Sequence, residues 1–246
     1  MDEQNVIQPL LPEDKTFREL LLPFLAPYFL YVAIESIPAG LLPVHLKPFI
    51  KFFAVGFAIF WFRHFYRIEE FSPKHAITAA LFLPVALFAW MGPLFAIRLL
   101  QGEALVIDNG HLNYSTMHII IRSINTVFLV AFFEEIFIRV YLLGWFHQAG
   151  TQTSKNGTVD AILETFEQSP RPLSSVPLSR FSIIATTIVF TAGHQIVEYL
   201  PAILYFSVTT WFYKKTGSMW GLIIIHGLTN LAIAILALKA GMPYLW

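Results

Sequence analysis

The sequence predicts an all-α fold, a polytopic membrane bundle of seven or eight transmembrane helices, and three observations carry that expectation. Hydrophobic residues make up 56% of the chain and charged ones only 13%, where a soluble domain carries about 25% charged residues. The chain holds 24 phenylalanines and 6 tryptophans, and its mean hydropathy is +0.62. Several apolar runs approach the roughly 20 residues a helix needs to cross a ~30 Å hydrocarbon core.

Taken in order, seven runs qualify. They cover about Phe17 to Ile37, Phe49 to Phe62, Ala76 to Ile97, His118 to Phe146, a fifth from near Phe181, Pro201 to Tyr213, and Met219 to Leu238. The second and sixth are short, so an extra or re-entrant segment near Leu41 or Glu198 would make eight. Pro23, Pro27, Pro84 and Pro93 fall in these runs and are expected to kink helices, which a bundle tolerates when neighbours re-satisfy the backbone. The whole chain, 1–246, reads as a single membrane domain: N-terminal spans over 17–115 and a polar-bearing core over 117–240. The core is interrupted at 147–180 by a stretch rich in Ser, Thr and Pro. That stretch reads as an exposed loop with a short amphipathic helix around Val159 to Phe166. Its sequon at Asn156 is read as chance.

Charge excludes some partners and orients the rest. The 16 basic and 16 acidic residues balance, so nothing points to nucleic acid. There is no cysteine, which removes disulfides, thiolate metal sites and a cysteine nucleophile. The acidic, polar opening MDEQNVIQPLLPEDK is unlike a signal peptide. With seven spans, ten lysines and arginines fall on the side of the N-terminus and four on the other, while Arg122 and Arg139 lie within a span. This bias predicts a cytoplasmic N-terminus and a cytoplasmic 147–180 loop.

Ionisable groups at membrane depth are functional candidates by default. The stretch FFEEIFIRV places Glu134 and Glu135 among phenylalanine and isoleucine. Glu135 and Arg139 are four apart and share a helix face, so they can pair. Glu134 projects about 100° away and is left free. The competing reading makes both glutamates a packing clamp around Arg139. On the fifth run lie His194 and Glu198, on the seventh His226 and Asn230, on the first Glu35. A lone intramembrane histidine more often makes an interhelical hydrogen bond than performs chemistry. Gly193 and Gly227 beside them would let helices approach closely. Counted from Phe146, Phe181 and Ser218, the four groups Glu134, His194, His226 and Asn230 lie at one depth. At 1.5 Å per residue that depth is roughly 12–20 Å below the cytoplasmic face.

A carboxylate, two imidazoles and an amide, with no serine or cysteine paired to a base, suggest direct attack by an activated water. Glu134 would be the general base, with His194 holding the water, while His226 and Asn230 would donate to a developing oxyanion. Zinc held by Glu134, His194 and His226 competes as a source of hydroxide. The chain lacks HExxH and asparagine is an unusual zinc ligand, so no metal is favoured.

The elements EEIFIR, FTAGH and HGLTN resemble the EExxxR, FxxxH and HxxxN motifs of the CAAX-protease and bacteriocin-processing family of intramembrane endopeptidases, also called the ABI family. The resemblance covers about Val127 to Leu238. It implies Glu134 and His194 as catalytic residues, His226 and Asn230 as the last motif, and Glu135 and Arg139 as a supporting pair. It also implies a glutamate-type endopeptidase acting on a membrane protein or peptide near the cytoplasmic side. The YKKTGSMWGLIIIHGLTNL stretch and the YLW end resemble a bacterial subgroup associated with exosortase sorting, which implies a bacterial inner membrane and a link to that system. Two readings from other classes stay open: a proton-coupled transporter, since buried Glu and His also build proton relays, and a non-catalytic immunity or scaffold protein of the same fold.

Overall fold

The computed structural model describes residues 11–106, 115–151, 157–171, 178–239 and 242; the sequon asparagine, His111 and the YLW end lie outside them. Among the described residues there are helices and turns and no strand. The helices are α1 (Phe17–Ser36), α2 (Lys47–Phe62), α3 (Pro73–Leu100), α4 (Thr116–Ile124), α5 (Ala131–Glu135), α6 (Leu143–Thr151), α7 (Thr158–Phe166), α8 (Arg180–Ala192), α9 (Tyr199–Thr216) and α10 (Met219–Lys239).

Local chemistry sets the ends. Thr16 and Glu19 form a capping box on α1, satisfying amides that the first turn leaves open. Ser72 caps α3, which then starts on Pro73, where a missing N–H costs nothing. Gly217 ends α9 with φ +67°, the left-handed conformation that lets the chain reverse into α10. Pro23 and Pro27 lie inside α1, Pro84 and Pro93 inside α3.

Among the described residues, four helices are long and apolar enough to cross a membrane: α1, α2 with its following turn, α3 and α10. Their outer faces expose Phe29, Phe53, Phe57, Leu81 and Phe88, each more than 60% exposed, as lipid-facing surfaces of a bundle do. The turn over 37–46 holds no helix, so no extra segment forms near Leu41.

Three departures from the expected layout matter for the site. The fourth run is a helical path broken twice, with π-helical turns at Asn125–Val130 and Ile136–Leu142 flanking the five residues of α5. The fifth run is cut short. Helix α8 has 13 residues, about 20 Å, and ends before Gly193, so His194 and Glu198 stand in the turn to α9 and not within a span. The 147–180 stretch is not a free loop either. Helix α7 docks on the bundle through Phe166, packed tilted against Trp145 at 4.1 Å between ring centres. The Phe17 amide donates to the Gln168 carbonyl, and Arg18 pairs with Glu167 at 3.0 Å. Its polar look comes from the residues around an apolar face that the bundle covers.

The helices alternate in direction. One end of the bundle gathers the starts of α1, α3, α8 and α10, tied by Glu69, whose carboxylate accepts from the Ser218 hydroxyl and the Trp220 amide. The opposite end gathers the 37–46 turn, the end of α3 and the start of α4. There Asn125 donates to the Pro48 carbonyl, and Lys51 pairs with Glu35.

Candidate active site

Glu135 and Arg139, four apart on the broken helix, form the ion pair their spacing predicts, at 3.1 Å and almost fully buried. A buried pair is stable only when its remaining donors and acceptors are satisfied. Here α9 supplies the partners: Arg139 donates to the hydroxyls of Thr209 and Thr210, and its guanidinium lies over the Phe206 ring at 4.1 Å. The second Glu135 oxygen, Oε1, is 2.9 Å from Nδ1 of His226 on α10. With Nδ1 donating to that carboxylate, the ring orientation is fixed and Nε2 faces the other way. Nε2 faces Glu134, whose Oε2 is 3.8 Å away. The two glutamates thus hold one imidazole between them: Glu135 from the buried side, Glu134 from a position where 21% of its side chain is exposed.

The π-helical turns explain how α10 comes so close. A π turn leaves backbone carbonyls outside the regular ladder. The Thr126 carbonyl, in the first such turn, accepts from Asn230 Nδ2 at 2.8 Å. Gly227 packs against the next residue so tightly that a Cβ there would lie 2.5 Å from the Val127 carbonyl oxygen. Small residues permit this approach, as the sequence suggests.

His194 reaches the same place from the end of α8. Its Nδ1 is 2.8 Å from the Phe190 carbonyl, and its ring packs against Phe190 and Trp90 at 4.7 and 5.3 Å between centres. Glu198, four residues on, accepts from the Gln195 amide and caps its own short turn.

Glu134, His194, His226 and Asn230 line one cavity of about 730 Å³, together with Tyr205 and Trp90. The arrangement can hold a small polar group between a carboxylate and imidazoles, beside the aromatic rings of Tyr31, Trp90, Phe190 and Tyr205. Among the described residues, no group of three His, Asp or Glu side chains is placed to hold a metal ion. No step below runs through a metal.

Sequence reasoning pairs Glu135 with Arg139 but misses its bond to His226. It also misses Thr209 and Thr210, although the adjacent hydroxyls in SVTTWF are a polar doublet within an apolar run. Of the remaining groups, Glu35 is paired with Lys51, and His147 accepts from the Ser179 amide.

An all-helical bundle among the described residues, with apolar outer faces and a polar cavity lined from several helices, defines the class: an integral membrane protein. Residues 116–232, just under half of the chain, match the family model described as type II CAAX prenyl endopeptidase Rce1-like, and the matched stretch holds every residue of the three motifs. Neither a curated protein nor a solved structure matches the chain.

Proposed function

We propose that the protein is an endopeptidase of the glutamate type, which hydrolyses a peptide bond of a membrane protein or peptide within the bilayer by direct attack of water. A water held by Glu134 and His194 gives its proton to the Glu134 carboxylate as its oxygen bonds to the scissile carbonyl carbon. The oxyanion that forms accepts from His226 Nε2–H, available when the ring carries both protons, and from the second amide hydrogen of Asn230. Glu134 then passes its proton to the departing amine as the C–N bond breaks. Glu135, balanced by Arg139, keeps His226 turned towards the cavity.

The observation that supports this reading best is His226 held between two glutamates, one buried and paired, the other facing a cavity that also receives His194. The domain match supports peptide hydrolysis as the reaction. The excess of lysine and arginine around the start of α1 supports a cytoplasmic N-terminus, and the resemblance carried by YKKTGSMWGLIIIHGLTNL supports a bacterial inner membrane with a sorting system as one source of substrates.

The test is cleavage of the natural target by the purified full-length protein in bilayers. Glu134→Gln is expected to lower the rate by about 10²–10⁴-fold, with helix content and thermal unfolding unchanged. Full cleavage by that variant overturns the proposal. Chelator with measured metal content is expected to leave the rate unchanged. Substrate flux across vesicles without a cleaved product would favour the transporter reading, and neither flux nor product the scaffold.

A further inference from the structure

Among the described residues, the lining of the cavity reaches exposed positions at one end of the bundle. Towards the end of the bundle that carries the start of α1, the space behind the catalytic groups is filled. Arg139 with its threonine partners, Tyr141, Tyr213, Met219 and Leu222 are all buried there, each 4% exposed or less. In the other direction the lining runs from Glu134 and His226 out to Gln101 and Glu103, beyond the last turn of α3, and to Gln195 in the turn after α8. Those three are exposed, and an Arg98–Glu103 pair at 2.9 Å sits on the rim.

The short α8 is the reason. Its 13 residues rise about 20 Å, where a span needs ~30 Å, so the turn that carries His194 stops some 10 Å below that face. The missing turns leave a polar-rimmed vestibule above the site. A catalytic cut near the face at which α1 begins, as depth counting predicts, is therefore not where this cavity leads.

The basic residues divide between the two ends. Of the described lysines and arginines outside the buried Arg139, nine lie at the blind end and five at the open end, where Lys47 and Lys51 are themselves buried. Lysine and arginine accumulate on the cytoplasmic side. We infer that the catalytic cavity opens to the extracytoplasmic side of the membrane, so that its substrates are peptide segments presented at that face. This inference rests on the endopeptidase reading for the word substrate, while the direction of access does not depend on it.

The chain has no cysteine, so single cysteines report access without background. Full-length Gln101→Cys, Gln195→Cys and Lys214→Cys variants are expressed in cells, converted to spheroplasts and treated with a membrane-impermeant maleimide. The first two are expected to label in intact spheroplasts, and Lys214→Cys, at the blind end, only after permeabilisation. A bulky maleimide on Gln195→Cys is expected to slow cleavage at least about tenfold by blocking substrate positioning, and the same reagent on Lys214→Cys to leave it unchanged. The reverse labelling pattern overturns the inference, and so does failure of Gln101→Cys and Gln195→Cys to label even in permeabilised membranes. Labelling from outside together with no Glu134-dependent cleavage upholds the access side and defeats the endopeptidase reading, so the two failures are distinguishable.

Discussion

Two acid–base pairs stand inside this bundle, and they are built to opposite designs. Glu135 and Arg139 are 3% and 1% exposed, and beyond each other they have His226, Thr209, Thr210 and the Phe206 ring as partners. Lys51 is as deeply placed, 7% exposed and set against the Tyr31 ring, yet its partner Glu35 is 60% exposed. The first pair has no route to water and needs all its protein partners. The second keeps one charge hydrated and needs few. The difference teaches where the molecule invests in polar packing: around the one imidazole that must be held still.

The largest effect on stability is expected from separating the buried pair. Arg139→Met strands the Glu135 carboxylate and is expected to cost about 3–5 kcal/mol, seen as a large drop in the thermal unfolding midpoint in detergent. A drop no larger than that of a surface variant would mean that Glu135 is reached by water. Next comes Gly227→Val, whose added carbons meet the Val127 carbonyl. Overpacking of this kind costs about 1–3 kcal/mol, and displacing His226 by about 1 Å is expected to lower cleavage about 10²-fold. Near-normal cleavage by that variant would show that α10 need not lie so close. The smallest effect belongs to Lys51→Met, which leaves Glu35 to solvent. It is expected to change stability by less than about 1 kcal/mol and cleavage not at all, and a loss comparable to that of Arg139→Met would erase the contrast between the pairs.

The same contrast marks what a sequence can disclose. Helix positions follow from one-dimensional runs of apolar residues: α1, α3 and α10 lie within three residues of the runs that predict them. The Glu135–Arg139 pair is equally local, a matter of i and i+4 on one face. The Glu135–His226 bond joins residues 91 apart and depends on how α10 meets a π-helical turn, which leaves no periodic trace in the residues. The truncation of α8 was half legible. Glu198 and the glycine before His194 hint at a break, but the apolar run continues through Ile196 and Val197, and only packing against Trp90 shows where the chain turns. The amphipathic pattern of the sequence locates helix α7 but not the surface that it packs on, because its partner Trp145 belongs to another run.

The central claim is that Glu134 and His226, from separate helices, act as one unit on one water. A double-mutant cycle on cleavage rate, Glu134→Gln and His226→Gln singly and together, tests it most directly. Residues that act as a unit are grossly non-additive, so the double variant is predicted to be no slower than the slower single one. Rates that multiply, with each substitution exacting its full loss in the presence of the other, would contradict the claim.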